Sequence, residues 1–269
     1  SDAWPGDGGA ACVWTGAARG SAGGRAMSMG TATVRAIPWG LGDVVAAVLT
    51  VLVGSVLFAV VLGGAAVLLA RGEDLMRDPL ALGLLLTGVA ATELLMLGAA
   101  AWWSLGKYRV QASALGWRRS WRGGPWTVAA TLLGVYVVLG AYVGLASLLG
   151  LRWALPQQQQ LPEGIFQSPA LAAAAGIAAL ILAPVAEETF FRGFLFGCLR
   201  EQWGLAAAAV VSGLAFGIAH LQLPLLVPIT DIGIVLAVAY AYSGSILPAV
   251  LAHFAVNAIA FGAALAGVN

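Results

Sequence analysis

The sequence predicts an all-α, polytopic transmembrane helix bundle, and three observations lead there. Hydrophobic residues fill 61% of the 269 positions, against about 45–50% in a typical soluble domain. Charged residues fall to 9%, where about 25% is usual. The apolar residues run in stretches of roughly 20, the length a helix needs to cross hydrocarbon. No stretch alternates apolar and polar with the period of two that a membrane barrel shows. Helices are then the remaining way to satisfy a backbone in lipid. The net charge of +1, with Lys and Arg in connecting segments, offers no basic face for nucleic acid.

Seven spans are expected, within a range of six to eight, at about 44–70, 79–105, 125–150, 169–200, 204–221, 225–243 and 246–267. Residues 1–36 are rich in Gly and Ala with scattered Arg and lack a long apolar run. They read as a disordered tail without a secretory signal, with Met27 or Met29 as a candidate start. The transmembrane domain is then 37–269. Leu155 to Gly164, with Gln157 to Gln160 between Pro156 and Pro162, reads as a polar external loop.

Lys107, Arg109, Arg118, Arg119 and Arg122 lie together between the second and third spans with no acidic residue. The positive-inside bias makes that connection cytoplasmic. The N-terminus with Arg19, Arg25 and Arg35, and Arg200 at the end of the fourth span, fall on the same side. Trp102, Trp103, Trp117, Trp121 and Trp126 flank the connection as interfacial anchors. The membrane expected is the plasma membrane of a prokaryote. Gly140 and Gly144 form a GxxxG pair that serves packing within one chain as readily as between chains. Cys12 and Cys198 have neither a disulfide nor a metal-thiolate spacing and read as incidental.

Three polar motifs interrupt the C-terminal spans: Glu187-Glu188 with Arg192, Phe216 with His220, and His253 with Asn257. Ionisable groups at bilayer depth mark functional sites. Glu188 and Arg192 stand four apart with the acid first, the favoured order for an ion pair on one helix face. Glu187 has Phe191 at that spacing and no intrahelical base. It is the acid left free, and in dry surroundings a carboxylate can serve as a general base near neutral pH. Glu188 and His220 each stand 16 residues from Gly204 (204 − 188 and 220 − 204), so a hairpin there sets them at one depth. His253 stands about two helical turns away from that depth. His253 and Asn257, four apart on one face, suit donors to a developing oxyanion. His220 would hold the attacking water or help deprotonate it.

These motifs, Glu187-Glu188-Thr189-Phe190-Phe191-Arg192-Gly193, Leu214 to His220, Gly244 to Pro248 and Ala252 to Asn257, resemble those of the CPBP intramembrane proteases. That family includes the type II CAAX prenyl endopeptidases and bacteriocin-immunity proteins. The resemblance covers roughly 125–260. It implies an intramembrane endopeptidase with Glu187, His220, His253 and Asn257 as catalytic residues and Glu188, Arg192 and Phe216 in support. Its substrates would be membrane-associated or lipidated proteins, prenylated ones among them, met within membrane lipid. No HExxH helix is present, yet two histidines and a carboxylate suffice for zinc. His220, His253 and Glu187 are the candidate ligands, and metal and glutamate mechanisms stay open side by side.

Glu93 and Asp231 also lie within spans and read as satisfied polar contacts between helices. Asp43 reads as a residue at a helix start. The alternative to an enzyme is a non-catalytic immunity or scaffold protein of the same family. An ion-coupled transporter would call for internal repeats, and none is evident.

Overall fold

A computed structural model describes residues 37–70, 74–155 and 162–267. The expected tail 1–36, with Cys12 and its arginines, lies outside the described residues, as does most of the expected polar loop. Among the described residues the chain is all-helical, and six helices are long and apolar enough to cross a membrane. They are α1 (Leu41–Leu69), α2 (Pro79–Gly106), α3 (Pro125–Leu148), α4 (Pro169–Ala219), α5 (Leu226–Ser243) and α6 (Leu247–Leu265).

Six against the expected seven is a matter of one glycine. α4 contains 51 residues, roughly 75 Å at 1.5 Å per residue, far beyond the hydrocarbon thickness. It bends at Gly204, whose φ of 77° and ψ of 177° lie outside helical space. The fourth and fifth spans of the sequence reading are thus two limbs, 169–203 and 205–219. Only a residue without Cβ takes that backbone at low cost.

The other boundaries follow from local chemistry. Pro79, Pro125, Pro169 and Pro248 stand at helix starts, where a missing N–H is harmless. Asp78 Oδ1 accepts from the Ala81 amide at 2.6 Å and caps α2. The expected polar loop ends sooner than Gly164: a short helix, Glu163–Gln167, follows Pro162. It forms there because Ile165 is buried against Leu82 and Ala175.

α2 packs against α1 and against the first limb of α4, whereas α5 packs against the second limb and α3. α6 closes the bundle against α3, α5 and the first limb. The limb–α5 crossing is tight: a Cβ on Gly213 would come within 2.7 Å of Ile234 Cγ1 and 2.8 Å of the Thr230 carbonyl.

The basic connection is stitched to the α5–α6 turn. Ile246 N donates to Gly116 O at 2.8 Å, and Ser245 Oγ donates to Arg118 O at 2.7 Å. Arg118 and Arg200 both act electrostatically on Tyr240, so the two basic segments share one end of the bundle. Asp43 does more than start α1. It caps Gly40 N at 3.0 Å and also accepts from Lys107 Nζ and, at 2.7 Å, from Tyr108 OH. Those bonds push both the Lys107 ammonium and the Tyr108 phenol above their ordinary pKa values.

Candidate active site

The first limb of α4 changes its winding where the acids sit. Residues Ala178–Leu182 and Thr189–Phe196 are π-helical, and Ala183–Glu188 between them is α-helical. Such widened turns recur at functional sites, because they release carbonyls and redirect side chains. Pro184 contributes to the first one. In π geometry the N–H of residue 184 would bond the carbonyl of Ala179, five back, but proline has no N–H. The freed carbonyl is taken by Asn257, whose Nδ2 donates to Ala179 O at 2.8 Å. Asn257 therefore has one of its two N–H bonds engaged in tying α6 to α4, and the other remains for a ligand.

Glu188 and Arg192 are wholly buried, with Arg192 Nη1 2.9 Å from Glu188 Oε1. The same oxygen accepts from His253 Nδ1 at 2.9 Å. Arg192 Nη2 donates to Gly233 O at 3.1 Å, and its guanidinium lies 4.2 Å above the Phe216 ring. Arg192 and Phe216 each stand 12 residues from Gly204 (204 − 192 and 216 − 204), so the two limbs run in the register that equal depth requires. The two-turn offset of His253 is absorbed, since its ring reaches Glu188 directly.

Glu187 is different. Its Oε2 is enclosed with no hydrogen-bond partner, and His253 Nε2 stands 3.8 Å away, too far for a direct bond. Of its side chain 12% stays accessible, enough to meet a small molecule. Phe216 serves as the hub: its ring centroid is 4.7 Å from that of His220 and 5.9 Å from that of His253. Phe191 packs edge-on against it at 5.2 Å. His220 caps the second limb and bonds Phe216 O through Nδ1 at 2.8 Å. Because a carbonyl only accepts, Nδ1 carries the proton and Nε2 of a neutral ring is the acceptor. His220 joins the cluster through Phe216 and shares no hydrogen bond with Glu187 in this structure.

A zinc site would need its ligands gathered, and no three His, Cys, Asp or Glu side chains among the described residues converge in that way. His220 and His253 each have Nδ1 engaged, which leaves Nε2 of each as the ring nitrogen open to a ligand. The candidate set His220, His253 and Glu187 is thus not assembled as a ligand set here.

Residues 169–259 match the family described as type II CAAX prenyl endopeptidase, Rce1-like. The matched residues, about a third of the chain, carry the motifs that resemble the CPBP intramembrane proteases. CPBP proteins form a protease family. A Bacillus subtilis (strain 168) protein named “Putative membrane peptidase YdiL” is 35% identical over 81 residues, which make up 30% of this chain. The matching stretch spans a third (33%) of that relative's length. No solved structure matches the chain.

The matched stretch holds Glu187, Glu188, Arg192, Phe216, His220, His253 and Asn257, but the cluster also draws on residues before it. Glu93 on α2 is buried, and its Oε2 has no hydrogen-bond partner. The expectation of a satisfied interhelical contact is corrected there, because α2 brings Glu93 beside the stretch carrying Glu187 and supplies no donor. Trp39 is a second residue the sequence reading missed. It stacks on Phe194 at 5.7 Å, and its Nε1 donates to Phe194 O at 3.1 Å within the π-helical stretch. Asp231 is half-buried on α5 and enters none of these contacts.

Proposed function

We propose that the chain is an intramembrane endopeptidase that hydrolyses peptide bonds of membrane-associated substrates with a water activated by Glu187. The observation that carries this reading is the difference between the adjacent acids. Glu188 is held by Arg192 and His253, whereas Glu187 is buried, unpaired at Oε2 and still partly accessible. A buried carboxylate without a partner is expensive and persists where it has work to do.

In the reaction, Glu187 accepts a proton from water as the water oxygen attacks the scissile carbonyl carbon. His220 steadies that water through Nε2. His253, held by Glu188 through Nδ1–H and carrying a second proton on Nε2, donates to the oxyanion together with the remaining N–H of Asn257. Collapse of the tetrahedral intermediate breaks the C–N bond, and Glu187 returns its proton to the departing amine. No step is routed through a metal.

An apolar groove of about 410 Å³, lined by Gly176, Ile177, Leu180, Phe254 and Phe261 among others, runs between α4 and α6. It supports a substrate with a lipid-like tail, and prenylated CAAX-type proteins are the class this reading favours. The basic connection faces the cytoplasm in this reading, with the chain in a prokaryotic plasma membrane. The catalytic unit comprises 125–260, with its flanking helices as support.

The test compares new peptide termini, by mass spectrometry, in membranes holding the native protein or Glu187→Ala at matched abundance. Loss of a catalytic base lowers rates by about 10²- to 10⁴-fold, so termini present with the native protein should vanish with the variant. Identical termini in both, with the native protein folded, would favour an immunity or scaffold role.

A further inference from the structure

Glu93 is the buried acid that the reaction above leaves unused. It lies mid-helix on α2, 8% exposed, and its Oε2 is enclosed without a hydrogen-bond partner. Glu187 Oε2 is in the same condition. α2 packs directly on the part of α4 that carries Glu187. Buried carboxyl oxygens without donors on two packed helices are unfavourable through desolvation, and through repulsion when both carry charge.

A hydrogen between them removes both penalties. The charge count points the same way. Glu188 already pairs with the Arg192 guanidinium, so a second negative charge beside Glu187 would stand unpaired in a dry site. Glu93 fits as the neutral carboxylic acid, which can donate one hydrogen bond.

We propose that Glu93 is a positioning residue of the active site: its carboxyl O–H donates to Glu187 Oε2, directly or through one water. Glu187 is thereby fixed with its other oxygen toward the attacking water. Glu93 keeps its own proton throughout, so the proton Glu187 takes from water is the one it gives to the amine. The active site thus extends onto α2, beyond the stretch 169–259 shared with the family. This inference rests on the proposed hydrolysis.

The test uses the full chain in proteoliposomes and a fluorescence-quenched peptide ending in a farnesylated CAAX box. Glu93→Leu should lower kcat about 10- to 100-fold, the loss of one hydrogen bond to a buried charge, with KM changed less than about 2-fold. Glu93→Gln, whose amide still donates, should recover most of that loss, a recovery that mere helix packing would not give. Unchanged kcat in a folded Glu93→Leu protein, while Glu187→Gln abolishes cleavage, would overturn the inference and leave the proposed function standing. If the native protein leaves the peptide intact, the prenylated substrate class falls while the proposed proteolysis is judged by the new termini, and infrared spectroscopy decides on Glu93. The carboxyl absorption assigned through Glu187→Gln should move in Glu93→Gln, and an unmoved band would overturn the pairing.

Discussion

α1 and the first limb of α4 are both apolar helices, yet they end in opposite surroundings. From Pro184 to Leu199 nearly every residue is buried, including Glu188 and Arg192. Along α1 most side chains are exposed, and Leu57, Val60 and Leu68 present more than half of their surface. Hydropathy registers oiliness and does not distinguish lipid from protein as the solvent. The limb sits among α2, α5, α6 and its own returning half, whereas α1 has α2 as its main neighbour. Only inside such a ring can an acid, a guanidinium and an imidazole find one another in hydrocarbon. α1 holds its one buried acid, Asp43, at the end where Lys107 and Tyr108 meet it.

Breaking the ion pair should produce the largest effect. Arg192→Leu strips Glu188 of its guanidinium and Gly233 O of its donor. Removing one partner of a buried pair typically costs about 3–5 kcal/mol. The thermal midpoint of the detergent-solubilised protein should fall accordingly, and the double variant Glu188→Met, Arg192→Leu should recover part of the drop. A midpoint unchanged by Arg192→Leu would show that this interior is wet, and the contrast between the two helices would collapse.

A smaller loss is expected at Trp39. Trp39→Phe keeps the stack on Phe194 and loses the indole N–H to Phe194 O, about 1–2 kcal/mol for one buried hydrogen bond. That carbonyl belongs to the π-helical stretch. Faster amide hydrogen exchange over 189–196 in the variant would show that Trp39 steadies the stretch, and unchanged exchange would confine its role to the ring stack on Phe194.

Much of the site was legible as spacing. The four-residue steps Glu188–Arg192 and His253–Asn257, and the equal counts on either side of Gly204, are properties of one helix or one hairpin. What remained hidden depends on neighbours far apart in sequence. Glu93 carries no signal that sets it apart from a packing residue until α2 is laid against α4. Asn257 reads as an oxyanion donor, and its bond to Ala179 is invisible unless Pro184 is recognised as the residue that leaves that carbonyl open. The π-helical turns have no periodic signature of their own. Trp39 looks like an interfacial anchor of the kind seen at Trp102, because nothing local says that it folds inward. The seventh span was counted for a sound reason: Gly204 ends the first limb in space even though the helix continues in hydrogen bonding.

The smallest effect belongs on the lipid face of α1. Leu57 is 57% exposed, and lipid tails are as apolar as leucine. Leu57→Ala removes contacts with lipid that other chains replace, so stability should change by less than about 0.5 kcal/mol. Leu199→Ala is the matched control on the α4 limb, 2% exposed, where a cavity cannot refill and about 2–5 kcal/mol is lost. The pair makes the same chemical change in two apolar helices. Equal losses at both positions, read from unfolding in lipid bilayers, would mean that α1 is covered by protein, and the exposed stripe from Leu57 to Leu68 would then be an interface between chains.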